Sequence, residues 1–360
     1  MSPPPSPLPP LYERWMRECL TDPVPNEAKA TCGDCAMCAA PGLAPAPDDA
    51  VFYDPATKCC SYMPLMWNFL TGAVLSDDSP EATRGRRTVE ARIDAGIAIT
   101  PLAMERTPVY NLLYGHIPDA FGRARSMRCP HFIEEGGLCG VWRFRESTCA
   151  TWFCKHERGA VAKEFWVRLH RLLALVERNL AGWCVLELDM GTDALRTIFP
   201  FPTPPDHPVT GGDFDGRPDP ARQRALWGRW HGREREFYRE AHGLVGRLGW
   251  RDVLGVCGPE VRAAEQIARK AFADLREQSL PSQLRAGLFR QQPLPDGGAM
   301  VTTYSPLDPL QLSPEILQIL PYFQGQSAKA ARNEIERELG FEVETELLRK
   351  LADFGLLRGS

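Results

Sequence analysis

Residues 129–156 read CPHFIEEGGLCGVWRFRESTCATWFCKH and bring four cysteines, Cys129, Cys139, Cys149 and Cys154, into one short window. An earlier window pairs TCGDCAMC at 31–38 with TKCC at 57–60 and supplies Cys32, Cys35, Cys38, Cys59 and Cys60. Nine of the twelve cysteines therefore cluster, while Cys19, Cys184 and Cys257 stand alone. An isolated cysteine packs as a small hydrophobe, so those three read as core. Nine clustered ones need another reason.

The opening MSPPPSPLPPLY has neither a charged leader nor an apolar stretch, which predicts a reducing, cytoplasmic setting. There, dense cysteine argues for metal ligation rather than disulfides. A thiolate is a strong soft ligand whose charge the metal neutralises. Two-residue spacers let neighbouring sulfurs turn toward one centre while backbone N–H groups point at them. C-x2-C-x2-C with a remote fourth cysteine is the ligand pattern of a four-iron, four-sulfur cluster. A C-x2-C pair with a distant second pair suits tetrahedral zinc. The run at 32, 35 and 38 tilts the reading toward iron–sulfur, with zinc as the alternative. Cys59 and Cys60 point in different directions, so nine thiols allow one centre or two. His131 and His156 lie beside ligating positions and could substitute for thiolates, but read rather as neighbours of the centre or surface histidines. Two basic knots, Arg84/Arg86/Arg87 and Arg123/Arg125/Arg128, read as surface runs; near thiolates they would lower thiol pKa values.

On these residues the chain resembles the zinc- or iron-chelating CxxCxxCC domain proteins. Those proteins open with a CxxCxxCC-like run and continue, after a variable insert, with a Cys-Pro-aromatic element, a second Cys before an Ile/Val-aromatic pair, and a third about ten residues on. CPHF at 129–132 and CGVWRFRESTC at 139–149 match the second half, and Cys32, Cys35 and Cys38 match the opening. The paired cysteines are displaced to Cys59 and Cys60, and Cys154 is additional. The resemblance spans about residues 30–160 and implies a metal, with ligand roles for Cys129, Cys139 and Cys149, but no reaction. Flagellin lysine methylases carry a loosely similar pattern, so a methylase-like modification enzyme stays as an alternative.

Around this array the chain looks globular. Of its 360 residues 44% are apolar and 24% charged, with net charge -4 and pI near 6.0. That length predicts two domains or three small ones. No basic patch suggests nucleic acid, and no run of about 18 apolar residues suggests a membrane span. Phosphate-loop, nucleophile-elbow, dinucleotide and HExxH signatures are absent.

The expected fold is α+β and mostly helical. A Pro-rich tail at 1–10 reads as disordered, and 11–199 as an irregular cysteine-rich metal-binding domain. Within it, Val161, Phe165, Leu169, Leu172, Leu173, Val176 and Leu180 repeat at helical spacing. WCVLEL at 183–188 reads as a short buried strand. A helical region at 218–290 carries two helices, at about 221–248 and 259–280. QQPLPDGG at 291–298 reads as a flexible connection. Beyond it, 297–360 shows Ser313, Ser327, Gly340 and Gly355 as caps and stops, and looks like a winged-helix module. It also resembles small peptide-recognition domains. The expected function is one or two iron–sulfur clusters serving electron transfer or peptide modification, with a peptide or protein partner at the C-terminal module. A structural zinc scaffold is the alternative.

Overall fold

The computed structural model describes residues 6–38, 52–200 and 210–359; the Pro/Ala-rich stretch at 40–49 and most of the Pro/Gly/Asp-rich stretch that begins at 200 lie outside them. The described chain is mostly helical with small sheets, an α+β arrangement. It divides into two compact units, each drawn from separate stretches of sequence. No helix among the described residues is long and apolar enough to cross a membrane.

The first unit comprises Met1–Pro25, Cys32–Thr151 and His170–Glu265. Its α1 (Pro10–Cys19) buries Tyr12, Trp15, Met16 and Cys19 at helical spacing. Pro10 occupies the first turn, where its missing N–H costs nothing. Leu8 is buried too, so order begins inside the segment expected to be disordered. Strands β1 (Met66–Trp67) and β2 (Ala103–Met104) pair antiparallel. Between them lie α2 (Asn68–Ser76) and α3 (Thr83–Asp94), and α4 (Pro108–His116) follows. Every α2 residue from Asn68 to Leu75 is buried. The buried Asn68 amide is satisfied by donating to Pro101 O at 3.0 Å and Ala181 O at 2.9 Å. The hairpin β3 (Phe132–Ile133) and β4 (Leu138–Cys139) leads to a short α5 (Ser147–Thr151).

Helix α6 (Gly159–Glu187) contributes residues to both units. It absorbs 183–188, so the strand expected there is helix. Leu180, Ala181, Cys184 and Val185 are all buried and continue the helical stripe. Trp183 Nε1 donates to Glu187 Oε1 at 2.9 Å, a bond that only a helical turn brings together. Beyond α7 (Thr192–Ile198) and α8 (Gly211–Phe214), the single helix expected at 221–248 is two. These are α9 (Pro220–Trp227) and α10 (Glu234–Val245). Gly228 breaks them with a φ of +50°, and a Cβ there would meet Met190 O at 2.6 Å. The α2–α10 contact depends on Gly72, where a Cβ would lie 1.8 Å from Tyr238 O. The unit closes with α11 (Trp250–Cys257).

The second unit gathers Asn26–Thr31, Trp152–Leu169 and Gln266–Ser360. Helix α12 (Pro259–Arg276) contributes to it and to the first. Glu27, buried, accepts from Trp166 Nε1 at 2.7 Å and Glu157 N at 2.5 Å. Arg158 clasps both carboxylate oxygens of Asp353 at 2.6 and 2.8 Å. Two three-stranded antiparallel sheets follow in sequence. One orders β6 (Arg290–Pro293), β7 (Ala299–Thr302) and β8 (Leu310–Leu312). The other orders β10 (Leu357–Gly359), β5 (Gln283–Ala286) and β9 (Gln324–Ser327). Helices α13 (Pro314–Ile319), α14 (Ala328–Leu339) and α15 (Thr345–Asp353) complete it. Leu284, Val301, Phe323, Ile335, Leu348 and Leu351 are buried in one core. Ser327 caps α14 by accepting from Ala330 N at 3.2 Å, and Gly340 ends it at φ +75°. Residues 291–298 are a hairpin, not an open linker. Gln291 pairs with Val301, and Leu294 N donates to Gly298 O at 2.9 Å.

Candidate metal centre

Four chain segments of the first unit carry eight of the nine clustered cysteines. In the first, the Cys38 N–H donates to Cys35 O at 3.0 Å, closing a turn inside the C-x2-C spacing. Tyr53 N donates to Met37 O at 2.6 Å and ties that turn to the segment preceding Cys59. The second is the 3-10 turn Lys58–Ser61, anchored where Thr57 Oγ1 donates to Gly122 O at 2.7 Å. The third joins the second directly: Cys129 N donates to Cys60 O at 2.7 Å. It continues into the β3–β4 hairpin, where Phe132 pairs with Cys139 and Gly140 N donates to His131 O at 2.7 Å. The fourth is α5, whose start is capped by the Glu146 carboxylate. Its oxygens accept from Thr148 N at 2.7 Å and Cys149 N at 2.9 Å.

The thiols are electrostatic neighbours. Burial pushes the Cys129 thiol up to about 12, with Cys139 and Cys59 adding to the rise. Burial likewise raises Cys139, Cys32 and Cys149. Cys139 feels Cys32 and Cys59, Cys32 feels Cys59 and Cys35, and Cys149 feels Glu146, Cys129 and Cys139. A hydrogen bond to Cys60 raises Cys59. Burial pushes Cys38 up to about 12, with Cys35 beside it. Opposing these are two backbone N–H···S bonds, from His131 to Cys129 and from Val141 to Cys139. Such bonds from two residues on are what a metal-bound thiolate uses.

Two cations stand in this array. Lys58, buried, holds a φ of +50° that ordinary residues avoid. Its Nζ donates to Cys32 O at 2.6 Å and Gly137 O at 3.0 Å. Arg145, also buried, stacks 3.4 Å over the Trp142 ring. It donates to Trp142 O at 3.0 Å, Cys149 O at 3.0 Å and Pro7 O at 2.8 Å. Its charge is felt together with the thiols of Cys139, Cys32, Cys149 and Cys59. Neither cation belongs to a basic run. Arg84, Arg86, Arg125 and Arg128, which do, are committed to Glu135, Asp78, Asp54 and Glu134 at the surface. The sequence signal for Lys58 is its place directly before Cys59, and for Arg145 its place between Cys139 and Cys149.

The remaining expected residues sit elsewhere. Cys154 is buried in the second unit, as is His156. The His156 ring meets Phe153 and Tyr304 edge-on, and burial lowers its pKa to about 4. His131 is in the array's unit, its Nδ1 2.7 Å from Thr88 Oγ1, and burial lowers its pKa to about 3. Cys184 and Cys257 are core residues, and Cys19 Sγ lies 3.8 Å from Glu265 Oε1. None of the cysteines forms a disulfide among the described residues.

The donor set has the chemistry of a soft-metal site: eight thiols, two of them accepting backbone N–H groups. The geometry is gathered rather than converged, since no three donors among the described residues already stand where one ion would be held. Side-chain rotation would have to bring them together. Comparison with family models, curated proteins and solved structures found no match to the chain.

Proposed function

We propose that the chain is a cysteine-ligated metalloprotein whose centre lies in the first unit, with an iron–sulfur cluster ahead of zinc. What supports this is the gathering of thiols from four separate segments, with Cys32, Cys59, Cys139 and Cys149 near the buried Arg145 and Cys32, Cys38 and Cys59 near the buried Lys58. A core filled with cysteine for packing alone has no use for buried positive charge. Thiolates joined to a metal do. The three closely spaced thiols at 32, 35 and 38 favour a four-iron cluster. Electron transfer or the modification of a peptide or protein is the work such a cluster would serve. In the second unit, an open groove of about 500 Å³ is lined by Arg349, Arg358, Val161, Leu280 and Leu357. It supports the reading of that region as the winged-helix-like, peptide-recognising part.

Anaerobic purification followed by metal and sulfide analysis is the test. A brown protein with broad absorption near ~400 nm and matched iron and sulfide is the expected result. A colourless protein that retains zinc through reconstitution would turn the reading to a structural zinc scaffold. Cys139→Ser and Cys149→Ser should each lose most of the metal, because a missing thiolate opens the shell. Cys257→Ala, in the core, should keep it. Full metal content in both serine variants would reduce these thiols to packing.

A further inference from the structure

We propose that the free edge of β10 receives an extended acidic peptide of a partner protein, added as a further strand to the sheet of β10, β5 and β9. The proposal rests on the reading of the second unit as peptide-recognising, and it names the mode and the charge of that peptide. Strand β10 ends its sheet, so among the described residues one side of it has no strand beside it. It lines the groove of about 500 Å³, together with Val161 of α6, Ala271 of α12 and Ala352 of α15, all within the second unit. Gly287 N donates to Leu356 O at 2.8 Å, and Leu357 faces Ala286 across the ladder. Alternation in an antiparallel ladder then turns the N–H and C=O of Arg358 toward β5, and those of Leu357 and Gly359 toward the free side. An edge of this kind is a template for an added strand.

The charge pattern selects the occupant. Arg358 lies directly opposite Arg285 of the central strand β5, on the face away from the buried Leu357 and Leu284. Like charges placed so are destabilising. Neither arginine pairs with a carboxylate among the described residues, and Arg349 on the groove wall donates to the neutral Gln278 Oε1 at 3.4 Å. The acids of the groove are already engaged: Asp353 by Arg158, Asp274 by Lys270, Glu164 by Arg168, and Glu277 by the N–H groups of Gln278 and Ser279. A lone arginine on an edge strand serves to keep other strands away. Arg285 is not on an edge, however, and Arg349 is on a helix. Together the three leave positive charge for a carboxylate to answer. A second copy of the chain does not supply one, since pairing two β10 edges sets like arginines side by side. Nucleic acid would meet the carboxylates of Glu164, Asp274 and Glu277 along the same groove, and its phosphates have no use for a strand edge. An antiparallel peptide bonded to Leu357 and Gly359 sets one residue opposite Arg358 in a non-hydrogen-bonded pair, where side chains approach closest. An acid belongs there and, by the period of two, at alternate positions.

The test selects binders to the full chain from a displayed library of random peptides of about ten residues. The expected result is enrichment of sequences with Asp or Glu at alternate positions. The best of them, made as a labelled synthetic peptide, should bind Arg358→Glu about ten- to a hundredfold more weakly than the parent. That variant should instead prefer the same peptide with lysine in place of each acid. N-methylation of the residues between the acids should abolish binding to the parent, whereas N-methylation of the acids should not, because only the former turn their N–H toward β10. The urea midpoint of Arg358→Glu should be no lower than the parent's, since the new carboxylate faces Arg285. A lowered midpoint overturns the charge argument. Peptides that bind Arg358→Glu equally well, or tolerate N-methylation at every position, overturn strand addition while leaving a peptide-binding unit. A parent that elutes as a dimer and becomes monomeric with Gly359→Pro gives the edge to a second copy and overturns the proposal. No enrichment, or binding of an oligothymidylate in the peptide's place, overturns the peptide-recognising reading as well.

Discussion

Glu177 shows how one residue can report on the interior of the first unit. It is buried on α6 and accepts from Tyr12 Oη, Ser147 N at 2.6 Å, Ser147 Oγ at 2.6 Å and Trp67 Nε1 at 3.1 Å. Burial, reinforced by the Glu146 carboxylate, holds its carboxyl well above the usual 4.5. A raised folded-state pKa means that the native state binds the proton more tightly than the unfolded chain. Its contribution is therefore complete below about pH 4.5 and is lost as pH rises toward the folded value. Glu177→Gln should flatten that decline, read as urea midpoints from pH 5 to 8. An unchanged slope would place the carboxyl's proton affinity near that of an exposed glutamate. At this scale the clustering of the cysteines was legible from the sequence, because spacing is a local property. Lys58, Arg145 and Glu177 were not. Their meaning comes from which distant carbonyls and hydroxyls they meet, and a lone charged letter carries no trace of that.

Elements hold the array in place through close backbone approach. In α3, a Cβ on Gly85 would lie 2.1 Å from Gly140 O, and Gly140 directly follows Cys139. Gly85→Ala should thus push the end of the β3–β4 hairpin outward. A loss of about 1–3 kcal/mol is expected from overpacking against backbone, together with reduced metal content. Gly115→Ala in α4 is the control, since its Cβ would meet open space. That change should be neutral or gain up to ~1 kcal/mol from helix propensity. Equal urea midpoints for Gly85→Ala and the parent would show that α3 does not brace the hairpin. Helical periodicity made α6 readable over 160–180, but its final turns were read as strand. A short apolar run such as WCVLEL has no period of its own, and only continuity with Leu180 reveals the helix. The Pro/Gly composition at 291–298 was equally ambiguous. Tight turns and open linkers use the same residues, and the flanking β6 is an exposed edge strand without an apolar side to betray it.

For the whole molecule, the hairpin changes what truncation should do. A chain ending after Gln292 looks harmless if 291–298 is a linker. It instead cuts β6 and removes β7, β8 and most of the core that buries Leu284. Such a chain should expose apolar surface and elute as aggregate on size exclusion. A soluble monomer with native-like helix content would mean that the lost core is dispensable. The α+β class and the helical bias were legible from the sequence, because caps and apolar stripes are local. The interleaving of segments was not, because no local pattern states that 26–31 and 152–169 join 266–360.

That interleaving also sets a schedule. During synthesis, Glu27 leaves the ribosome some 240 residues before Gln266 does. At typical elongation rates it waits roughly ten to fifty seconds for the rest of its unit. Cys32 through Cys149 emerge during that interval, before residues 170–265 have arrived to complete the first unit. For that time the thiols belong to a nascent chain, reachable by whatever delivers metal and by whatever oxidises sulfur. The order of translation therefore leaves the thiols open to solution chemistry before the fold encloses the array.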